Sequence, residues 1–231
     1  MGIVNGMTRA ASALRYWELR QEAASNNLAN ADTNGFKAER TFGQLVGDAV
    51  TTVNAATDLS AGALKPTGNP LDLAIGGKGF FVVQTPQGER LTRAGAFQLD
   101  RDGKIVDDHG NAVLGEKGPI IAPPGTLTID AGGQVKVNGK EIGRLRVESV
   151  PQGTPLAHTN GTMFIPPANA TPVAPEARSI RQGFLEDSNV NTVGSLVDMI
   201  SIQRSYAAVQ KTITTLDDIR QTISTQLGKP A

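Results

Sequence analysis

The stretch Gly183-Phe184-Leu185-Glu186-Asp187-Ser188-Asn189-Val190-Asn191 decides the fold, because it closes a β-rich region and opens a long helix. Ser188, Asn189 or Asn191 is suited to cap that helix, since each offers a short side-chain oxygen to unpaired backbone N–H groups. From Ile202 onward apolar residues recur at Ile202, Tyr206, Val209, Ile213, Leu216, Ile223 and Leu227, broken once by Arg220. Steps of four and three are the spacing of a coiled-coil seam. A tail with one apolar stripe needs a partner for it.

The first thirty residues offer a matching stripe. Ile3, Met7, Ala10, Leu14, Trp17, Gln21, Ala24 and Leu28 keep the same alternating steps, and the alanines among them favour a helix and a close neighbour. Asn34-Gly35 supplies the left-handed residue that stops it. Over 36–67 the spacing of Phe42, Leu45, Val46 and Val50 predicts a short helix followed by an extended connector.

From about Asn69 to Arg146 the period falls to two, as in Leu71, Leu73 and Ile75. Turns are signalled at Pro86-Gln87-Gly88, Asp100-Arg101-Asp102-Gly103, Asp108-His109-Gly110, Ala131-Gly132-Gly133 and Val137-Asn138-Gly139. Short strands between tight turns read as an antiparallel β domain. Six prolines between 151 and 178 mark an irregular surface loop, and one strand over about 179–185 leads to the closing helix. The expected fold is therefore α+β. Residues 1–35 and 186–231 form a core domain of terminal helices, 36–67 a connector, and 68–185 a central antiparallel β domain.

Composition excludes several classes of function. Basic and acidic residues balance at 22 each, so no net field recruits nucleic acid or an anionic membrane. Cysteine is absent, which removes disulfides and thiolate chemistry. No apolar run is long enough to span a bilayer, and Met1-Gly2-Ile3-Val4-Asn5-Gly6 lacks the pattern of a cleaved secretory signal. Export without such a signal is the expectation.

No stretch of the sequence has the spacing of a catalytic or ligand-binding motif. His109 and His158 lie in predicted turns without a partner at ligand spacing, so no metal site is expected. Gly76-Gly77-Lys78-Gly79 lacks the spacing of a phosphate loop and runs into Phe80, a strand residue. Asp100-Arg101-Asp102-Gly103 opens like a calcium loop but has Asn111 where the closing glutamate belongs. Asp107-Asp108 and Asp217-Asp218 point their neighbours different ways, which suits solvent better than acid–base work. No catalytic residue, cofactor or metal ligand is assigned, and the chain is not expected to be an enzyme.

Three blocks carry a family resemblance. Ser25-Asn26-Asn27-Leu28-Ala29-Asn30-Ala31-Asp32-Thr33-Asn34-Gly35-Phe36-Lys37 resembles the N-terminal signature of bacterial flagellar rod and hook proteins. The 183–191 stretch, with Met199-Ile200, Gln203-Arg204-Ser205-Tyr206 and Lys211, resembles their C-terminal signature. Pro70-Leu71-Asp72-Leu73-Ala74-Ile75, Gly79-Phe80-Phe81 and Thr92-Arg93-Ala94-Gly95 resemble the family's middle region. Within the family the proximal-rod type fits best, through Gly115-Glu116-Lys117-Gly118-Pro119-Ile120, Pro123-Pro124-Gly125 and Ile142-Gly143-Arg144-Leu145. Ala207 stands where many distal-rod members carry Glu.

The resemblance implies a structural subunit of the flagellar basal-body rod, in the periplasmic space, exported through the flagellum's own type III apparatus. It implies a homo-oligomer in a helical assembly, with neighbouring rod proteins as partners, no nucleic acid and no membrane span. Terminal helices would form an inner coiled-coil core that transmits torque. Leu14, Trp17, Leu28, Ile202, Tyr206, Val209, Ile213, Leu216 and Ile223, with Ser188 and Val190, are the expected assembly contacts. Asn26, Asn27, Asn30, Asn189 and Asn191 are expected to satisfy backbone groups where helices end or cross, with plain capping the alternative. Two other functions compete: a distal-rod or hook-type subunit, and a soluble β-domain binding module dimerised by its helices.

Overall fold

The computed structural model describes residues 2–46, 49–151, 153–159 and 161–227. The side chains of Ile3, Leu45, Val46, Val50 and Leu227 lie outside the described ones. The chain divides into two compact units: Met1–Ala29, Glu39–Ala56 and Asn191–Ala231 make one, and Asn30–Ala38 with Thr57–Val190 the other. The architecture is α+β, with two long helices and many short antiparallel strands.

The first unit holds α1 (Gly2–Ala29), α2 (Thr192–Leu227) and a hairpin of β1 (Glu39–Val46) and β2 (Ala49–Thr57). The short helix expected around Phe42 is thus a strand. The spacing favours a helix, but the run Ala49-Val50-Thr51-Thr52-Val53 is rich in residue types branched at Cβ, which disfavour a helix and suit a strand. α1 and α2 pack against each other. They run antiparallel: Gly6 approaches Leu216, while the Tyr206 hydroxyl donates to Glu18 Oε1 at 3.3 Å. Ala23, Ala24 and Ile202 are buried.

The second unit is organised by β5 (Phe80–Thr85), which is buried on both faces. Alternate residues serve different cores. Phe81 and Val83 join a large cluster with Leu73, Ile75, Val113 and Leu145; Phe80 and Val82 join a smaller one with Leu91, Leu114 and Phe164. Period-two geometry makes this division automatic, and explains a strand that is apolar without alternation. β6 (Gly88–Thr92) pairs along one edge of β5. The other edge is shared by β9 (Ala112–Gly115) and β14 (Val147–Ser149). Beyond these lie β7 (Gln98–Leu99), β8 (Ile105–Val106), β10 (Gly118–Pro119), β15 (Met163–Phe164) and β16 (Thr171–Pro172). β11 (Leu127–Ile129), β12 (Gln134–Val137) and β13 (Lys140–Arg144) form a separate meander.

Three hairpin turns repeat one chemical device, Asp-x-x-Gly-x, at 100–104, 107–111 and 130–134. In each, aspartate Oδ1 accepts from the N–H groups two and four residues on. The glycine at the fourth position carries the positive φ that closes the turn: 76° at Gly103, 81° at Gly110 and 84° at Gly133. These side-chain bonds replace backbone partners that a tight turn cannot supply.

The single strand expected over 179–185 is instead two, β17 (Ile180–Gln182) and β18 (Phe184–Glu186). Gly183 breaks it with φ of 80°, redirecting the chain from β4 (Leu73–Ile75) to β3 (Leu64–Pro66).

Asp107 is buried and also accepts from the Asn111 side chain, whereas Asp130 is exposed. Asp107→Ala should therefore cost about 1–3 kcal/mol of unfolding free energy, and Asp130→Ala about 1 kcal/mol or less. Denaturant unfolding of the two variants checks this order; equal losses would count against burial as the deciding factor.

Candidate assembly site

The two terminal signatures meet inside the second unit. Lys37 and Glu186, each fully buried, are joined by a 2.6 Å bond from Nζ to Oε1. Lys37 also donates to the Ser60 carbonyl at 2.6 Å. Arg93 completes the group: Nη1 donates to Glu186 Oε2 and to the Ile75 carbonyl, both at 3.0 Å, and Nη2 donates to the Gly77 carbonyl. Its guanidinium lies 5.3 Å from the Phe80 ring centre. The Gly62 N–H donates to Glu186 Oε1. One carboxylate thus holds two cations and a backbone amide in a dry setting.

Burial disfavours the charged form of both bases. Desolvation lowers Lys37 below the ordinary lysine value, against the pull of Glu186, and lowers Arg93 for the same reason.

Backbone bonds weave the same segments together. Gly35 N–H donates to the Glu186 carbonyl at 2.6 Å, and Asp187 N–H to the Ala63 carbonyl at 2.8 Å. Asn189 uses both ends of its amide: Oδ1 accepts from Ala38 N–H, and Nδ2 donates to the Asp58 and Ser60 carbonyls. A Cβ at Gly35 would stand 2.3 Å from the Ala94 nitrogen, and φ there is 72°. Only glycine fits that crossing.

The other expected assembly residues have separate places. Ser188 Oγ accepts from Val190 N–H, beside Asn189 in the second unit, and Asn30 Oδ1 accepts from the Thr33 hydroxyl. In the first unit Asn27 exchanges two bonds with the Glu39 backbone and so anchors the hairpin, while Asn191 caps α2 through Gly194 N–H. Leu14, Trp17 and Leu28 are half-buried on α1, and Arg20 lies 5.4 Å from the Trp17 ring centre. On α2, Ile202 is buried, Tyr206, Val209, Ile213 and Leu216 are half-buried, and Ile223 is exposed. Since Tyr206 and Leu216 meet α1, the stripe they belong to faces α1. Asn26 is exposed and lines a groove of about 620 Å³ with Glu18, Gln21, Glu22, Ser25 and Tyr206.

Two features escaped the sequence. The ion triad did, because nothing local to Lys37, Arg93 or Glu186 in the sequence marks a partner so remote. So did a second apolar face on α2, formed by Val193, Leu196, Val197 and Ile200, all exposed. Asp107, Asp108 and His109 hold potential ligand atoms within 4.8 Å of one another, but both Asp107 oxygens are already engaged by the turn.

Comparison with known proteins agrees with this distribution of signatures. The family model described as flagella basal body rod protein matches residues 7–37. The flagellar hook protein FlgE/F/G D1 domain matches 74–137, and the flagellar basal body rod FlgEFG protein C-terminal model matches 181–227. The flagellar basal-body rod protein FlgF of Caulobacter vibrioides is 32% identical, over 93% of this chain and 95% of its own. FlgG of Buchnera aphidicola subsp. Schizaphis graminum is 30% identical over 90% and 94%, and FlgF of Escherichia coli 31% over 86% and 88%. The chain belongs to the flagellar basal-body rod protein family and is most like its proximal-rod type. It is a structural subunit of the basal-body rod, in a family that is not enzymatic.

Glu186→Gln strands two buried cations and should cost about 3–5 kcal/mol, whereas Lys37→Met leaves a neutral Glu186–Arg93 pair and should cost less. A lysine whose value is lowered on folding binds fewer protons folded than unfolded, so its contribution to stability grows as pH rises toward 10.5. The stability advantage of the parent chain over Lys37→Met should accordingly widen from pH 7 to pH 10 in denaturant titrations, and a narrowing would contradict it. Gly35→Ala should lose more than the about 1–3 kcal/mol of backbone strain alone. Gly110→Ala, with φ of 81° and open space around it, measures that strain separately.

Proposed function

We propose that the chain polymerises through its terminal helices into the axial shaft of the rod and transmits torque along it. The observation that carries this reading is α2 itself. One face packs on α1, while its first turns display a second apolar face to solvent. A helix with two apolar faces is suited to one partner within its own chain and another outside it. Packed helices resist sliding, so such an array conducts torsion without any chemistry. The α1–α2 pair acts as a coiled-coil element of an inner core.

The partners are further copies in a helical homo-oligomer, neighbouring rod proteins, and the flagellar type III export apparatus. The subunit reaches the periplasmic part of the basal body without a cleaved signal peptide. Leu14, Trp17, Leu28, Ile202, Tyr206, Val209, Ile213, Leu216 and Ile223 hold the helices in the paired geometry that assembly needs. Asn26, Asn27, Asn30, Ser188, Asn189, Val190 and Asn191 secure the segments on either side of them.

Ile213→Asp tests the reading, since it places a charge in the stripe between α1 and α2. The variant should still be exported but leave the rod incomplete, so that cells expressing it as their sole copy do not spread in soft agar. Full motility with normal export would remove the helix pair from the assembly mechanism.

A further inference from the structure

At about 100° per residue, the positions of α2 fall into two opposed lines. Ile202, Tyr206, Val209, Ile213 and Leu216 lie on the side that meets α1. Val193, Val197, Ile200, Arg204 and Lys211 lie on the opposite side, with Leu196 at its margin, and all six are exposed. This outer line is apolar for its first two turns, then carries the basic Arg204 and Lys211, with the acidic Asp218 two turns beyond Lys211. Arg204 and Lys211 form no ion pair among the described residues.

The same unit carries the opposite charge elsewhere. The groove of about 620 Å³ beside α1 is lined by Glu18 and Glu22, one turn apart, with Tyr206 across from them. Neither carboxylate forms an ion pair among the described residues, although Glu18 accepts the Tyr206 hydroxyl. The groove continues past Ser25 to Ala29, so an acidic end is followed by a polar and then a small apolar one.

We propose that the outer line of α2 docks into the Glu18–Glu22 groove of a second copy of this chain, Arg204 and Lys211 meeting the two carboxylates. The inference rests on the assembly reading above and specifies its contact. Charge complementarity selects the occupant: both halves of the match lie on this chain, on different surfaces of one unit. Such a contact is heterologous, so each copy offers a free line at one side and a free groove at the other. Repetition then builds an open array and not a closed dimer. Val193, Leu196, Val197 and Ile200 would lose their exposed surface in the same step, which supplies attraction where the charges supply register.

Charge reversal tests the pairing on the purified full chain, with sedimentation as the readout and circular dichroism confirming helix content. Glu18→Lys with Glu22→Lys, and separately Arg204→Glu with Lys211→Glu, should each raise the concentration needed for assembly about tenfold. The fourfold variant should return it to within about threefold of the parent. Val197→Asp, on an exposed position, should impair assembly without loss of helix. If the parent assembles and the fourfold variant stays impaired, the pairing is wrong while the assembly reading stands. If the parent does not assemble under any condition and Ile213→Asp leaves motility intact, the assembly reading falls. Flotation of the parent with phosphatidylglycerol vesicles, abolished by Arg204→Glu with Lys211→Glu, would make the outer line a membrane face and overturn the proposal.

Discussion

The buried contact among Lys37, Glu186 and Arg93 is the constraint on which the second unit depends. Its members come from three distant parts of the sequence, 93 positions separating Arg93 from Glu186 and 149 separating Lys37 from it. Contacts of such separation are entropically costly to form and do not arise one at a time. The group carries two positive charges against one negative, so each member is tolerable only with the others in place. Apolar residues of equal volume would hold the segments at least as strongly. What the ions add is selectivity: a misplaced strand would leave a dry charge without a partner.

The surrounding backbone makes the same demand. Gly35 passes so close to Arg93–Ala94 that no side chain fits, and a Cβ at Gly62 would stand 1.9 Å from the Asp187 carbonyl oxygen. Asn189 bridges the 38, 58 and 60 positions with one amide. Three chain segments, 35–38, 58–63 and 183–190, are therefore tied at fixed spacing. In sequence these are the segments that follow α1, follow the hairpin and precede α2. The family's terminal signatures then have a physical basis: Phe36-Lys37 and Glu186 with Asn189 are the two halves of one knot, each unsatisfied without the other.

The sequence was informative wherever local chemistry decides structure. The four-and-three spacing located both helices, and the glycine-bearing turn signals at 100–103, 108–110 and 131–133 located hairpins, because a left-handed glycine acts within a few residues. It misled where spacing and propensity conflict, as at Phe42, Leu45, Val46 and Val50, whose helical spacing sits beside Cβ-branched residue types that favour a strand. It was silent where partners are remote. Lys37 and Glu186 look like ordinary surface charges until the fold removes their water. The outer line of α2 is hidden for another reason: Val193, Leu196, Val197 and Ile200 precede Ile202, where the four-and-three spacing first becomes regular.

The outer line gives the closing helix two separate tasks. A single stripe from Ile202 to Leu216 would have to choose between α1 and a neighbouring copy. The structure gives this stripe to α1, where Tyr206 and Leu216 already have their contacts. Under the proposed function, assembly cannot use those side chains without opening the pair, and opening it would expose an apolar surface on both helices. An external contact must therefore form on surfaces left free by the pair. The outer line of α2 and the groove beside α1 meet that condition, and they match in charge. The internal seam then acts indirectly: it fixes the rotation of α2, and with it the direction in which Val197, Arg204 and Lys211 point.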